Sequence, residues 1–304
     1  MKMKFVKMQG AGNDYVYVDC TGNQLDNASS IAVKVSDRHF GIGSDGLILI
    51  KNSQVADFFM EMYNADGSQS QMCGNGIRCV GKFVYDFGLT DKTEVAVETL
   101  AGIKYLTLHP GDDGKIKTVT VDMGAPELDA AKVPADISCF SEGSKNIVAD
   151  ETLAGGAATP NAIIAKKLNV NGEDYEVTCV SMGNPHSIVY IDKEINIKEF
   201  DLDAVGPYFE NHKAFPERVN AEFIQVVDES NLNMRVWERG SAETWACGTG
   251  ACASLVATVL NGLCNEEATL HLLGGDLRIR WDRVKNTVFM EGPAETVFEG
   301  EIEL

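Results

Sequence analysis

Two apolar runs with helical spacing stand out along the chain, and each follows a glycine-rich turn. The first run has apolar residues at Ile77, Val80, Phe83, Val84 and Phe87. Gly88 follows directly, as is typical of the residue just past the end of a helix. The second run, apolar nearly all round, comprises Ala251, Ala253, Leu255, Val256, Val259, Leu260 and Leu263. The pattern therefore predicts two helices, and the second suits a helix enclosed by other structure.

Shorter alternating or continuous apolar runs predict strands on both sides of these helices. Two more helices are expected at 28–39 and 198–212, and residues 138–161, which are small and polar, predict a loop or insertion without an assigned role. Strands are expected at 3–19 (two strands around a turn), 47–50, 57–63, 94–108, 115–123, 174–181, 187–191, 221–227, 232–237 and through much of 268–304.

The same order of parts occurs twice along the chain. Each half has strands, an asparagine-bearing turn, a strand, a Cys-Gly-x-Gly turn, an enclosed helix and more strands. We predict an α/β protein of two pseudo-two-fold-related domains, each a mixed barrel-like β-sheet around a central helix. A break at Gly124-Ala-Pro126 divides residues 1–124, joined by about 294–304, from residues 125–293. A pseudo-two-fold arrangement of the two domains would bring the N-termini of the two central helices together.

Composition and charge exclude several classes of protein. The 304 residues carry a net charge of −19, which repels phosphate backbones and argues against nucleic-acid binding. Apolar runs are all shorter than about 18 residues, so no membrane span is expected. The N-terminal residues lack the long apolar core of a signal peptide. We therefore expect a cytoplasmic protein whose eight cysteines are thiols.

Candidate chemistry lies at the two Cys-Gly-x-Gly turns. Cys73 and Cys247 each precede a predicted helix start, where unpaired N–H groups and the positive end of the helix dipole meet. A thiol in this position is expected to have a lowered pKa and to be partly thiolate at neutral pH.

Two such cysteines facing one bound molecule could invert a stereocentre. One thiolate would remove a proton from one face of a carbon, and one thiol would deliver a proton to the other face. The backbone N–H groups that would surround the substrate carboxylate belong to Gly74, Asn75, Gly248 and Thr249. This chemistry requires neither a metal nor a carbonyl cofactor.

Other interpretations of the cysteines remain open from the residues alone. A cysteine at a helix start is often a small buried hydrophobe. The spacings Cys73/Cys79 and Cys247/Cys252 lack the short gap of a zinc knuckle, and Cys-x-x-Cys redox pairs are absent. Cys79 and Cys252 fall on the helix bodies, where they are interpreted as packing residues.

Nine short motifs follow one another along the chain: Gly10-Ala-Gly-Asn-Asp14, Gly41-Ile-Gly-Ser-Asp45, Asn64-Ala-Asp-Gly-Ser68, Cys73-Gly-Asn-Gly-Ile-Arg-Cys79, Glu98-Thr-Leu-Ala-Gly102, Gly183-Asn-Pro-His186, Asn220, Glu238-Arg-Gly240 and Ala246-Cys-Gly-Thr-Gly-Ala-Cys252. In these motifs and their order the chain resembles the diaminopimelate epimerase family along nearly its whole length.

The resemblance implies two similar domains with the site in the cleft between them. It implies interconversion of LL- and meso-diaminopimelate, a small-molecule substrate, without pyridoxal phosphate or metal, on the route to lysine and cell-wall peptide. A homodimer is the candidate assembly. Cys73 and Cys247 match the two catalytic positions.

The resemblance also assigns the binding residues. Gly74, Asn75, Gly248 and Thr249 match the cradle for the carboxylate at the reacting centre, and Glu238 and His186 match polar residues beside that centre. The distal, non-reacting end of the substrate would be held by Asn13, Asn64, Asn184, Asn220 and Arg239. Arginine can bind a carboxylate with two hydrogen bonds, and asparagine offers both donors and acceptors. From the residues alone, Asn13, Asn64 and Asn184 could equally be turn residues that bond to their own backbone.

Three features depart from the family pattern. Gly46 stands where some members have glutamine, Trp245 stands where a smaller apolar residue is common, and 138–161 is longer than usual.

Two other functions are therefore considered. One is a cofactor-independent racemase of another amino acid, similar to proline or histidine racemase, and the other is a non-catalytic thiol-bearing binder.

Overall fold

The chain divides into two units. One comprises Met1–Asp122 with Glu291–Leu304, and the other comprises Met123–Met290. The structure is a computed structural model, and it describes residues 2–143 and 161–304. Most of the stretch 138–161, which was predicted to be a loop or insertion, therefore lies outside the described residues.

The described residues form strands and helices whose bounds are as follows. The helices are α1 (Ala28–Ser36), α2 (Gly74–Asp86), α3 (Leu202–Glu210) and α4 (Gly248–Leu260). The strands are β1 (Lys2–Gly10), β2 (Asn13–Asp19), β3 (Gly46–Asn52), β4 (Phe58–Asn64), β5 (Gln69–Ser70), β6 (Glu94–Thr99), β7 (Gly102–Pro110), β8 (Ile116–Gly124), β9 (Lys166–Val170), β10 (Glu173–Ser181), β11 (Pro185–Tyr190), β12 (Asn220–Asp228), β13 (Asn231–Glu238), β14 (Ala242–Thr244), β15 (Glu267–Leu272), β16 (Gly275–Asp282), β17 (Thr287–Pro293) and β18 (Glu295–Glu303).

The first unit is a mixed sheet that surrounds α2. Strand β18 pairs with β1, and β1 pairs with β2, both antiparallel. The pairs β2–β3 and β4–β6 are parallel, whereas β3–β4, β6–β7 and β7–β8 are antiparallel. Helix α2 contacts β1, β2 and β7, and its residues from Gly74 to Val84 are all buried. The helix is therefore the centre of the unit's core.

The second unit repeats this topology. Strand β10 pairs antiparallel with β9 and β11, β11 runs parallel to β12, β12 pairs antiparallel with β13, and β13 runs parallel to β15. Helix α4 contacts β10, β11, β12, β15 and β16, and nearly all of its residues are buried. The two parallel pairs occupy equivalent places in both units. The repeated order of parts and the enclosed second helix, both predicted from the sequence, are confirmed.

Local boundaries differ from the prediction where a side chain ends or starts a helix. Helix α1 ends at Ser36 rather than at 39, because the Asp37 carboxylate accepts the N–H groups of His39 and Phe40. Helix α3 starts at Leu202 rather than at 198, because Asp201 caps it by accepting the Ala204 N–H at 3.1 Å.

Glycines account for two further boundaries. The run predicted as one strand at 94–108 is the hairpin β6–β7, whose turn ends at Gly102 with a φ of +99°. Gly88 has a φ of +74° and donates its N–H to Tyr85, so the predicted end of α2 is confirmed. Such positive φ angles are strained for residues with a side chain.

Across residues 2–143 and 161–304, the helices are all too short or too polar to cross a lipid bilayer.

Gly46 leaves no room for a side chain. It lies in β3 between Tyr15 of β2 and Asn64 of β4. A Cβ atom at this position would lie 2.1 Å from the backbone oxygen of Tyr63. The backbone at this position therefore leaves no room for a glutamine side chain.

We predict that Gly46→Ala destabilises the protein by about 1–3 kcal/mol, because β3 or β4 must shift to relieve the clash. The measurement is the urea midpoint of unfolding. Gly22→Ala is the matched control, since a Cβ there meets no atom within 4 Å. Equal midpoints for the two variants would contradict the prediction.

Candidate active site

Cys73 is the residue that starts α2. Its backbone is extended, and its Sγ accepts the Gly76 N–H at 3.4 Å, so the thiol caps the first turn of the helix. A Cβ atom at Gly76 would lie 2.8 Å from Ile48, which keeps this turn close to the sheet. Gly74 and Asn75 are the first two residues of the helix.

Asn13 contacts Cys73 directly. The Cys73 thiol donates to Asn13 Oδ1 at 3.1 Å, and Asn13 Nδ2 donates to Asp45 Oδ2 at 2.6 Å. Asp45 also accepts from Arg38 at 2.9 Å. The sequence placed Asp45 in a motif but assigned no role to it or to Arg38. Their carboxylate and guanidinium fix the orientation of the Asn13 amide.

Cys247 occupies the equivalent position at α4. Its backbone is also extended, its Sγ accepts the Gly250 N–H at 3.4 Å, and it lies 3.5 Å from Thr249 Oγ1. Gly248 and Thr249 provide the first N–H groups of this helix. Each unit thus presents one cysteine as the N-cap of its central helix.

The expected lowering of both cysteine pKa values is wrong. Burial raises the pKa of Cys73, and the N–H groups of Gly76 and Asn75 offset only part of this effect. Burial raises the pKa of Cys247 well above that of a free cysteine. The helix N-termini act in the predicted direction, but loss of hydration has the larger effect.

Carboxylates distinguish the two cysteines. After burial, the largest causes that raise the pKa of Cys247 are the charges of Glu238 and Glu222. Beside Cys73, the charge of Arg78 and the hydroxyl of Tyr15 lower the pKa instead.

His186 lies between two polar partners in the second unit. Its Nδ1 is 2.6 Å from Glu222 Oε1, and its Nε2 is 3.0 Å from Asn184 Oδ1. The side chains of His186 and Glu222 are both 0% exposed. Glu222 was missed from the sequence. The available signal was a charged residue inside the otherwise apolar start of a strand.

Asn220 starts β12 and bonds to the turn after β13 that contains Arg239. The Arg239 N–H donates to Asn220 Oδ1 at 2.9 Å, and Asn220 Nδ2 donates to the Pro185 oxygen at 3.1 Å. The Arg239 guanidinium donates to the backbone carbonyl oxygen of Glu217 at 3.0 Å. Buried Glu210, also missed from the sequence, accepts the N–H of the next residue, Gly240, at 2.8 Å.

The remaining predicted residues have local bonds. Asn64 Nδ2 donates to Ser68 Oγ at 3.0 Å within its own turn, which is a side-chain contact rather than the backbone bond that the turn interpretation expected. Glu238 Oε1 accepts from Thr244 Oγ1 on β14. Asn64 and Asn184 thus bond to neighbours in sequence, whereas Asn13 and Asn220 bond to distant ones. A role for any of them in substrate binding stays a prediction.

The described part of the chain contains no group of three or more His, Cys, Asp and Glu side chains arranged to hold a metal ion. The expectation that neither a metal nor a cofactor is needed remains a prediction.

Sequence relatives with known names cover nearly the whole chain. The family model of diaminopimelate epimerase matches residues 5–128 and 178–297. The chain is 52% identical over 302 residues to diaminopimelate epimerase of Acetivibrio thermocellus, covering 99% of both proteins. It is 46% identical over 304 residues to diaminopimelate epimerase of Leptospira biflexa, covering 100% of both.

Solved structures share the fold at low sequence identity. A probable proline racemase from Agrobacterium radiobacter has a TM-score of 0.65 and 13% identity, covering 99% of this chain and 93% of that one. A PhzF-family phenazine biosynthesis protein of Bacillus anthracis has a TM-score of 0.63 and 16% identity over 100% of both chains. These likenesses confirm the predicted fold class. With its sequence matched along both units, the chain belongs to the diaminopimelate epimerase family.

Proposed function

We propose that this protein interconverts LL- and meso-diaminopimelate, with Cys73 and Cys247 as the two proton-transferring groups. The family assignment supports the reaction and makes the protein an isomerase. The observation that carries the mechanism is the equivalence of the two cysteines, since each caps the buried central helix of its unit. Two acid–base groups of the same kind suit a reaction that runs in both directions through one intermediate.

Each thiolate would have one backbone N–H donor already in place. Sγ of Cys73 and Sγ of Cys247 already accept the N–H of the residue three positions later. When the α-proton leaves, negative charge spreads into the adjacent carboxylate. The helix N-termini at Gly74, Asn75, Gly248 and Thr249 offer N–H donors for that charge.

The raised pKa values of Cys73 and Cys247 have two opposing effects on this chemistry. An α-proton of an amino acid is a very weak acid, so its removal is favoured by a strong base. Burial raises the pKa of Cys73 and Cys247, which makes each thiolate more basic than a hydrated one. The cost is a small thiolate fraction at neutral pH.

The distal end of the substrate is a second amino-acid group. Arg239 is proposed to bind the carboxylate of this distal group. The remaining hydrogen bonds to its carboxylate and ammonium groups are proposed to come from Asn13, Asn64, Asn184 and Asn220. Glu238 and His186 are proposed to lie beside the reacting centre. The positions of His186 and Asn220 at the start of paired parallel strands support a shared location in the second unit.

The wider assignments belong to the same proposal. We assign one epimerase half to residues 1–124 with about 294–304 and the other to 125–293, and the division of the structure after Asp122 and before Glu291 supports this. We further propose a cytoplasmic enzyme without cofactor or metal, with a homodimer as its assembly.

The reaction is tested in deuterated water with reduced protein, LL-diaminopimelate and no pyridoxal phosphate. We expect NMR to show deuterium at one α-carbon together with formation of the meso isomer.

Cys73→Ser and Cys247→Ser should each reduce epimerisation by on the order of a thousandfold or more, because an alcohol is a far weaker acid than a thiol. Cys264→Ser is the matched control, since it lies beyond the end of α4. Exchange only with another amino acid would instead favour a different racemase, and no exchange at all would favour the binder.

Arg239→Ala tests the distal site. Loss of a bidentate ion pair should raise KM for diaminopimelate. The lost binding free energy of about 2–4 kcal/mol corresponds to a kcat/KM that is roughly thirtyfold to a thousandfold lower. Arg278→Ala is the control, because Arg278 pairs with Glu267 on the neighbouring strand. Wild-type kinetics in Arg239→Ala would remove this residue from the binding site.

The raised thiol pKa values predict a rise of activity with pH. Thiolate is the minor form at neutral pH, and its fraction grows about tenfold per pH unit below the pKa. We therefore expect kcat/KM to increase between about pH 6 and pH 8. A profile that falls over this range, in protein shown to stay folded by circular dichroism, would contradict the assignment of a thiolate as the base.

A further inference from the structure

Arg78 is a fully buried cation near the start of α2. Its side chain is 0% exposed, and it lies five residues after Cys73, the N-cap of the helix. Arginine stays protonated in proteins, so this position carries a permanent positive charge. Burial of a charge costs stability, and an apolar residue would fill the interior of a helix at lower cost. Packing alone therefore does not account for an arginine here.

The guanidinium group joins three segments of the first unit. Its Nη1 donates to the Gly74 oxygen at 3.2 Å, and its Nε donates to the Pro293 oxygen at 3.1 Å. A Cβ atom added to Gly10 would lie 3.1 Å from Arg78 Nη2 and 3.1 Å from the Asn75 oxygen. The end of β1, the first turn of α2 and the end of β17 therefore meet at this one side chain.

These contacts hold the charge at the helix start without cancelling it. The hydrogen bonds to Gly74 and Pro293 go to carbonyl oxygens, which are neutral groups. Gly10 also begins the turn that leads to Asn13, whose Oδ1 lies 3.1 Å from Cys73 Sγ. The guanidinium thus packs against both of the segments that bring Asn13 and Cys73 together.

The second unit forms the same helix cap with a different residue at the equivalent position. Sγ of Cys247 accepts the Gly250 N–H at 3.4 Å, the same distance as between Cys73 and its donor. The fifth residue after Cys247 is Cys252, which is also fully buried. An uncharged side chain therefore suffices at this position for the helix and its cap. Formation of the cap does not explain the arginine of the first unit, so we look to its charge.

We propose that Arg78 is a positioning residue that fixes the first turn of α2 against the Gly10 turn and supplies permanent positive charge to the anion-binding end of that helix. A helix N-terminus carries only a partial charge, and a buried cation adds a full one that salt screens little. The inference rests on the proposed function for its purpose, because negative charge would build up beside Cys73 as the α-proton leaves. Cys252 provides no such charge in the second unit, so we expect the two helix starts to differ in their affinity for anions.

The test compares alkylation by iodoacetate, an anion, with alkylation by neutral iodoacetamide in substrate-free protein, and each cysteine is followed by peptide mass spectrometry. The two reagents are nearly equal in size and both react with the thiolate, so the ratio of their rates at one cysteine cancels access and thiolate fraction. What remains is the effect of local charge on an anion. In Arg78→Met we expect the iodoacetate-to-iodoacetamide ratio at Cys73 to fall by about threefold or more. In Arg78→Lys, which keeps the charge, the ratio should stay near the wild-type value.

Arg278→Met is the matched control, because it removes the same charge from a side chain that pairs with Glu267 in the second unit. It should leave the ratio at Cys73 unchanged. A wild-type ratio at Cys73 in folded Arg78→Met would overturn the inference and leave Arg78 with a structural role only. An equal fall of the ratio in Arg78→Met and Arg78→Lys would also overturn it, since the effect would then not follow the charge.

A measurement on the wild-type protein covers a variant that does not fold. Cys73 and Cys247 both cap helices, so the ratio at Cys247 includes the effect of a helix N-terminus. We expect the wild-type ratio at Cys73 to exceed that at Cys247, and an equal or lower ratio at Cys73 would contradict the inference. Alkylation needs no turnover, so failure of epimerisation would end the proposed function and leave this test of the charge intact.

Discussion

The hydrogen bond from a backbone N–H to a cysteine sulfur, in the first turn of a buried helix, is the interaction on which both candidate sites depend. Gly76 donates to Cys73, and Gly250 donates to Cys247. The bond requires extended backbone at the cysteine and close approach of the turn to the surrounding sheet. The glycines permit that approach, because a Cβ atom at either position would meet neighbouring side chains. The catalytic proposal and the packing of each helix therefore have the same structural origin.

Burial and the helix dipole have opposite effects on the pKa of these two thiols. A helix N-terminus stabilises a thiolate, but enclosure in a unit's core removes the water that would stabilise it more. The net result is a raised pKa at both cysteines. A more basic thiolate removes a weakly acidic proton faster, but the smaller thiolate fraction at neutral pH offsets that gain. Enclosure by the core and basicity of the sulfur are thus consequences of one arrangement.

Polar side chains around the candidate sites form hydrogen-bonded pairs that hold neighbouring groups in place. Asp45 restricts Asn13, which contacts Cys73, and Glu210 restricts the turn that holds Arg239. Glu222 and His186 form the most deeply buried of these pairs. Each pair joins residues that are at least 30 positions apart in sequence. Placement of these polar side chains therefore depends on tertiary contacts between elements rather than on local sequence.

By itself the sequence determined the repeat of parts, the positions of the two helix starts and most of the strands, because these depend on local periodicity and on turn glycines. Gly88 and the Cys-Gly-x-Gly turns could be interpreted from a few adjacent residues. Only the tertiary structure decided the direction of the cysteine pKa shifts and the roles of Asp45, Glu210 and Glu222. Desolvation and charge are sums over neighbours that are distant in sequence, and Glu222 meets His186 only because β11 and β12 pair in parallel.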